Sequence, residues 1–173
     1  MNQEKVSIGL ENPKSPDNVS SVMRAAGNYQ VDSILYTGTR YPRALSYQVR
    51  SVDMSRKVSK GVSVSGVECL INSVPEGMSI VCVELVVNAT PLPEFEHPEN
   101  AFYIFGPEDG SISQGIIDKA DSVVYVPTVG CMNLAASVNV LLYDRLAKNN
   151  IHATDNDLVR KSRDTNNRLK TPL

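Results

Sequence analysis

Short apolar runs, each followed by a polar turn, recur along the chain and predict an alternating α/β fold. Six segments have the length and composition of strands: Val6–Leu10, Val31–Thr37, Val62–Val67, Ile80–Val87, Ala101–Phe105 and Ser122–Val126. The run Ile80–Val87 is almost continuously apolar, which is typical of a central parallel strand buried on both faces. Asn88–Pro93 cannot continue a sheet, because two of its residues are prolines, and we expect a loop there.

Two segments carry apolar residues at helical spacing. The first starts near Pro16, with Asp17 or Asn18 as its cap, and ends at Gly27 or Asn28. The second starts near Met132 and places a row of apolar residues on one side: Leu134, Val138, Leu141, Leu142 and Leu146. Shorter helices are expected around Glu68–Ser73 and after Gly110. Strands and helices that alternate in this way favour a mostly parallel sheet with helices on both faces.

Composition limits the class of protein. The chain has 173 residues, of which 42% are hydrophobic, as expected for a single globular domain. No apolar run approaches the ~20 residues that cross a bilayer, and the N-terminus lacks the apolar core of a secretory signal. The three cysteines have no metal-like spacing, so we expect a reduced cytoplasmic location, no disulfide framework and no metal. With a net charge of −2, any nucleic-acid surface must be local.

Two polar segments carry most of the candidate RNA contacts. Gly38–Ser59 interleaves tyrosines with Arg40 and other basic residues, and is interpreted either as an RNA-contacting surface or as a solvated loop. The last residues, 151–173, are polar and basic, and are expected to be disordered or to form a short basic arm. We therefore divide the chain into a domain over residues 1–150 and a tail over residues 151–173.

The turn Gly106–Gly110 ends an apolar strand, where open α/β sheets bind their ligands. It lacks the Lys-Ser/Thr pair of a phosphate loop, and its acidic Glu108 and Asp109 would repel a phosphate. Such a turn suits a ligand with hydroxyl groups or a positive centre, and S-adenosylmethionine has both. The alternative is a tight turn in which Asp109 or Ser111 caps a helix.

Other reactive side chains have simpler interpretations. His97 and His152 adjoin no nucleophile motif, and we expect both to be exposed loop residues. Cys131 is either a thiol activated at a helix start or a small side chain against a ligand, and we favour the second. From spacing alone, Arg24 belongs to a solvated helix face that also carries Asp17, Ser20 and Ser21.

Three segments in order resemble the SpoU, or TrmH-type, branch of the SPOUT RNA methyltransferases. The first is NP…PDNVSSVMRAAGNY, from Asn12 to Tyr29. The second is FYIFGPEDGSIS, from Phe102 to Ser113, and the third runs from Tyr125 to Leu146 and contains CMNLAASVNVLLYDRL. The resemblance extends over nearly the whole chain, and its minimal length is similar to that of tRNA ribose methyltransferases without an added RNA-binding domain.

The resemblance implies a fold, a reaction and partners. The C-terminal part of the α/β sheet would be threaded as a deep trefoil knot. The chain would transfer a methyl group from S-adenosylmethionine to a ribose 2′-hydroxyl of RNA, with tRNA favoured over rRNA. It would act as a homodimer through the knot helices and the first helix, with each active site built across the interface, and without a membrane or a metal.

The resemblance also implies roles for particular residues. Arg24, Glu108 and Asn133 match the catalytic positions, and Asn18, Arg24 and Arg40 would bind substrate. Arg24 would either accept the hydroxyl proton or, since a guanidinium is a poor base, clamp the neighbouring phosphate. The cofactor would lie against three loops, formed by Leu85, Gly106, Glu108, Gly110, Val126, Cys131, Met132 and Leu134.

The chain departs from the family pattern at a few positions. Ser20 stands where the family usually has Gly, Cys131 where it usually has Ser, and Ala136 where Asn is common. Cys131 and Ala135, which occupies the position of a family Ser or Ala, permit an alternative function, a knotted RNA-binding protein that has lost activity, although Arg24, Glu108 and Asn133 argue against it. A small-molecule enzyme on an ordinary doubly wound sheet is the third hypothesis, and the absence of a nucleotide fingerprint disfavours it.

Overall fold

The computed structural model describes residues 4–47, 61–149 and 156–172. Within them a single sheet holds seven strands, in the order β3-β2-β1-β6-β4-β7-β5, and every adjacent pair is parallel. The strands are β1 Val6–Leu10, β2 Ser33–Tyr36, β3 Ser63–Gly66, β4 Ser79–Val83, β5 Thr90–Pro91, β6 Ala101–Phe105 and β7 Ser122–Tyr125. The predicted parallel α/β fold is confirmed.

The helices begin and end largely where the sequence predicts. They are α1 Pro16–Asn28, α2 Arg40–Tyr47, α3 Gln114–Ile117, α4 Leu134–Lys148 and α5 Asn156–Ser162, with short 3₁₀ turns at Ile71–Ser73 and Leu92–Glu94. The cap of α1 is Ser15, whose side chain accepts from the Asn18 amide, and the prediction of Asp17 or Asn18 as cap is wrong. No helix among the described residues has both the length and the apolar character needed to cross a membrane.

Both faces of the sheet are covered, as predicted for a parallel sheet. Residues of β6 alternate between the faces, so Tyr103 lies in one core cluster while Phe102 and Ile104 lie in the other. On the Tyr103 face, α1 and α4 pack their apolar rows against the strands. On the opposite face, Leu70 and Ile112 complete a smaller cluster. All five residues of β6 are buried, which places the core around this strand.

The last two strands in the chain, β6 and β7, each lie between two strands that precede them in the sequence. Strand β6 lies between β1 and β4, with Tyr103 opposite both Ile8 and Val81. Strand β7 lies between β4 and β5. Because all these strands are parallel, the loops that follow β1, β4, β6 and β7 collect at one edge of the sheet.

Four stretches differ from the prediction. Within Asn88–Pro93, which was expected to be a loop, Thr90–Pro91 form the short strand β5, and proline is tolerated there because β5 is the edge strand and pairs only with β7. The strand expected over Ile80–Val87 stops at Val83, because the Glu84 carbonyl accepts from the Val86 amide at 3.0 Å and the chain turns. The polar stretch from Gly38 contains a helix, α2, that the sequence did not predict, and residues 48–60 of the expected RNA surface lie outside the described residues. Disorder is wrong for Asn156–Ser162 of the tail, which form the fully exposed helix α5.

His97 is a further correction. Its side chain has no exposed surface, its Nδ1 lies 2.7 Å from the Tyr103 hydroxyl, and its Nε2 lies 2.9 Å from Asp144 Oδ2. Desolvation lowers the pKa of His97, although the Asp144 carboxylate opposes this. The exposed-loop interpretation failed because the Asp144 partner lies 47 residues away in the sequence. His152 lies outside the described residues.

Arg145 completes this buried polar cluster. The sequence predicted Leu146 on the core side of α4, yet Leu146 is 40% exposed and Arg145 only 5% exposed. Position 145 continues the helical row through Val138 and Leu141, and its guanidinium binds the carbonyls of the loop before β6. Burial raises the pKa of Tyr103, which accepts from Arg145, to about 12.

Candidate functional site

A pocket of about 270 Å³ opens at the edge where the strands end. Its walls are the loop after β4, the loop after β6 and the loop after β7. It is lined by all eight residues predicted to hold the cofactor, namely Leu85, Gly106, Glu108, Gly110, Val126, Cys131, Met132 and Leu134. The structure therefore brings together the three loops to which the resemblance assigns the cofactor.

The loop after β6 folds back tightly on the strand end. A Cβ atom at Gly106 would lie 2.9 Å from the Ile112 amide nitrogen, so only glycine allows this approach. The Ile112 amide in turn donates to Glu84 Oε2 at 3.0 Å, and Glu84 Oε1 accepts from the Leu85 amide at 2.9 Å. Sequence reasoning missed Glu84, whose signal was a single carboxylate inside an otherwise apolar run.

Glu108 binds the beginning of α1. Its Oε2 accepts from the Lys14 amide at 2.9 Å, and its Oε1 accepts from the Ser15 amide at 3.0 Å and from Asn18 Nδ2 at 3.2 Å. Desolvation raises the pKa of Glu108, but the backbone hydrogen bonds from Ser15, its own amide and Lys14 outweigh it and hold that pKa below the ordinary value. The carboxylate is thus ionised at neutral pH and lies at the positive end of the helix dipole.

A chain of amide contacts links Glu108 to the third loop. Asn133 Nδ2 donates to Asn18 Oδ1 at 3.1 Å, and Asn18 donates to Glu108. Asn133 Oδ1 accepts from the Ala135 amide at 2.9 Å and so caps α4. Three of the predicted site residues, one from each sequence motif, are therefore joined by hydrogen bonds at the edge of the pocket.

Arg24 is not part of this chain of contacts. It is exposed on α1, six residues beyond Asn18 and hence about 9 Å further along the helix axis. Among the described residues it makes no hydrogen bond or ion pair. Within one copy of the chain, Glu108 binds Asn18 and main-chain amides while Asn133 binds Asn18 and caps α4, so neither is hydrogen-bonded to Arg24.

Arg40, predicted to bind substrate, is paired with the acidic turn. Its Nη1 lies 2.9 Å from both carboxylate oxygens of Asp109, and its Nη2 donates to the Asn12 carbonyl at 2.7 Å. The Arg40 side chain lowers the pKa of Asp109, first through the hydrogen bonds and then through its charge. Asp109 therefore caps no helix, contrary to the alternative considered for this turn, and joins α2 to the pocket loop.

The loop after β7, which is the third wall of the pocket, presents Cys131 to it. Cys131 is exposed and lines the cavity, while Cys82 is buried in the core, where desolvation raises its pKa to about 12. Thr128 Oγ1 donates to the Gly130 carbonyl at 2.7 Å and shapes the turn. The interpretation of Cys131 as a small side chain against a ligand agrees with this position and stays a prediction.

Comparisons with known proteins agree with the geometry. A family model described as the SpoU rRNA Methylase family matches residues 5–143, whereas no curated protein matches the chain. A solved structure described as the A. aeolicus TrmH/SpoU tRNA modifying enzyme has a TM-score of 0.69 at 19% identity, over 85% of this chain and 76% of its own. AviRb from Streptomyces viridochromogenes, solved with AdoMet, has a TM-score of 0.66 at 15% identity, over 86% and 59%.

A third solved structure concerns 2-OH methylation of C/U34 on tRNA, with a TM-score of 0.66 at 16% identity over 85% of this chain and 97% of that one. Identities this low show a shared fold alone. The family model carries more, because it spans most of the chain and includes the first two motifs and all but the last three residues of the third. This chain belongs to the SpoU rRNA methylase family.

Proposed function

We propose that this protein transfers a methyl group from S-adenosylmethionine to a ribose 2′-hydroxyl of RNA, and that tRNA is its substrate. The observation that carries the proposal is the meeting of three loops in one pocket, with the hydrogen-bonded chain Glu108–Asn18–Asn133 at its edge. Two similar structures support it, since one is described with AdoMet and another concerns 2-OH methylation on tRNA.

The lining of the pocket fits this cofactor. None of the described lining residues is a lysine or arginine, while Glu84 and Glu108 are carboxylates. Such a pocket disfavours a phosphate-rich cofactor and suits a cation. S-adenosylmethionine would supply an electrophilic methyl group on a sulfonium, and Gly106 and Gly110 would let it approach the main chain. The ribose oxygen would form the new C–O bond as the C–S bond of the cofactor breaks. The electron pair of the C–S bond would stay on sulfur, and the hydroxyl proton would pass to solvent.

The residues of this chain would orient the substrate. Ionised Glu108, fixed by the amides of Lys14 and Ser15, holds the Asn18 side chain, and Asn133 holds it from the other side. Asn18 is therefore positioned to fix a ribose or phosphate group at the pocket edge. Arg24 would clamp the phosphate next to the reacting hydroxyl, because a guanidinium with a pKa above ~12 is a poor proton acceptor.

Arg24 does not line the pocket of its own chain, so the proposal includes a homodimer in which a second copy supplies this residue. An apolar groove of about 450 Å³ lies between the end of α1 and α4, lined in part by Tyr29, Leu92, Val140 and Tyr143. Tyr143 is 62% exposed and Val140 is 36% exposed, so α4 presents apolar side chains on its outer face. A second copy seated in this groove would cover the exposed apolar side chains and bring its own α1 near the first copy's pocket.

The deep trefoil knot is also part of the proposal. The insertion of β6 between β1 and β4, and of β7 between β4 and β5, supports a threaded C-terminal part. A cytoplasmic location stays a prediction from the reduced cysteines.

Calorimetry with S-adenosylmethionine tests the proposal first, because a folded protein that does not bind it cannot be this methyltransferase. Mapping ribose methylation in RNA from cells with and without the gene then tests the reaction and separates tRNA from rRNA. Loss of one 2′-O-methyl group supports the enzyme. Cofactor binding with no lost methyl group supports the alternative permitted by Cys131 and Ala135, an RNA-binding protein without activity.

Arg24→Ala is the sharpest variant for the reaction. We expect it to abolish methyl transfer while S-adenosylmethionine affinity stays within a few-fold, since Arg24 lies outside the pocket lining. Arg24→Lys, which keeps the charge but not the planar fork, should restore only part of the activity. Full turnover in Arg24→Ala would contradict the role assigned to this residue.

A further inference from the structure

Glu84 occupies an unusual place at the carboxyl end of β4. Both oxygens of its carboxylate accept main-chain hydrogen bonds, from the Leu85 amide at 2.9 Å and from the Ile112 amide at 3.0 Å. Leu85 belongs to the first wall of the pocket, and Ile112 ends the fold-back of the second. One side chain therefore spans two loops that are separated along the chain.

Contacts other than the one with Glu84 also hold the loop after β6. Ile112 is buried with Phe102 and Ile104 beneath the loop, and Gly106 approaches its amide too closely for any larger residue. The next amide, of Ser113, donates to Glu11 Oε2 at 2.8 Å. Strand β6 lies between β1 and β4. Glu11 follows β1 and Glu84 follows β4, and these two carboxylates bind consecutive amides of the loop after β6.

Of these two carboxylates, Glu84 alone lines the pocket. A change at Glu84 would free the Ile112 amide and let the first and second walls move relative to each other. Hydrogen bonds to a charged acceptor are stronger than neutral ones, and a bound ligand benefits when its pocket is already in the bound shape.

We propose that Glu84 is a positioning residue that fixes the spacing of the first two pocket walls and thereby sets the affinity for S-adenosylmethionine. This inference rests on the proposed function. Glu84 acts through the main chain of Leu85 and Ile112 and takes no part in the methyl transfer itself.

The test compares the parent with Glu84→Ala, Glu84→Gln and a matched control, Asp121→Ala. Asp121 Oδ2 accepts from the Ile80 amide at 2.7 Å, which is the same kind of contact at the opposite end of β4. Calorimetry measures the Kd for S-adenosylmethionine, methyl-transfer kinetics give KM and kcat, and hydrogen exchange follows the Ile112 amide.

We expect Glu84→Ala to raise Kd and KM about tenfold, the change associated with losing one hydrogen bond to a charged acceptor. Its kcat at saturating cofactor should stay within about threefold, and the Ile112 amide should exchange faster. Glu84→Gln should lie between Glu84→Ala and the parent, because its amide keeps one acceptor oxygen. Asp121→Ala should bind the cofactor within about twofold of the parent and leave Ile112 exchange unchanged.

Three results would overturn the inference while the parent binds S-adenosylmethionine. One is a Glu84→Ala variant that binds as tightly as the parent. Another is an equal loss of affinity in Asp121→Ala, which would indicate general loosening of the sheet. The third is a fall in kcat with unchanged KM. Failure of the parent itself to bind the cofactor would instead remove the proposed function.

Discussion

Replacing the buried Arg145 by methionine should lower the free energy of unfolding more than replacing an exposed arginine by methionine. The guanidinium is only 5% exposed. Nη1 donates to the Pro98 carbonyl at 2.6 Å and to the Tyr103 hydroxyl at 3.0 Å. Nη2 donates to the Glu99 carbonyl at 2.7 Å and to Glu4 Oε2 at 3.0 Å. One side chain thus holds the loop before β6 and the N-terminal segment against α4.

Methionine has nearly the length of arginine and fills the same space, but it donates no hydrogen bond. The substitution would leave two carbonyl oxygens without this donor, while Glu4 Oε2 would keep its hydrogen bond from Asn149 Nδ2 at 2.8 Å. Each buried acceptor left without its donor costs about 1–3 kcal/mol, and the lost pair with the partly exposed Glu4 adds about 1 kcal/mol or less. We therefore expect the free energy of unfolding to fall by about 3–5 kcal/mol, a large part of the roughly 5–15 kcal/mol that such domains have.

Urea denaturation followed by circular dichroism measures this change, provided the slope with denaturant is the same in both proteins. The matched control is Arg160→Met in α5. Arg160 pairs with Asp157 at 2.7 Å, but the two side chains are 65% and 66% exposed. A surface pair contributes less than about 1 kcal/mol. The reasoning is refuted if Arg145→Met costs no more than Arg160→Met.

Two further predictions concern the pH dependence of stability and the turn at Gly38, before α2. Because the pKa of His97 is lowered in the folded state by desolvation, the unfolded chain binds the extra proton more readily. His97 faces four other titratable or charged side chains, Tyr103, Asp144, Arg145 and Lys148. The stability that depends on neutral His97 is complete above the ordinary pKa of about 6.5 and is lost as the pH falls below that value. In urea titrations, the parent should lose more stability than the His97→Gln variant between pH 7.5 and pH 5.5. An equal loss in the two proteins would contradict this prediction. Gly38→Ala should cost about 1–3 kcal/mol in thermal unfolding, since Gly38 has φ +82° and its Cβ would overlap the Asn12 side chain; Gly61→Ala, with open space around it, is the control.

Local patterns account for the parts of the fold that were predicted correctly. Val6–Leu10 and Ala101–Phe105 have the same bounds in sequence and structure, because a short apolar run between polar turns defines a buried strand by itself. The turn residues after these strands predicted the pocket loops for the same reason. Parallel topology then brings the loops to one edge without further information.

Contacts between distant residues account for what was missed. His97 lies in a proline-containing loop whose sequence predicts exposure, and its burial depends on hydrogen bonds with Tyr103 and with Asp144, which is 47 residues away. Arg145 shows the same limit, because a charged residue in an apolar row is assigned to the surface unless its carbonyl partners are known. For Arg24 the limit differs. The sequence motif places it in the site, but one copy of the chain leaves it exposed on α1.

The position of β6 constrains how the newly synthesised chain acquires its sheet. Val6 pairs with Ala101, so β1 keeps an open edge until the segment Ala101–Phe105 has been made. Strand β4, made earlier, also has an open edge and could pair with β1 directly. Folding must therefore hold a gap between two strands for a third that arrives later, and contacts so distant in sequence form slowly. During that interval the exposed edges are where this protein is most prone to mispairing and aggregation.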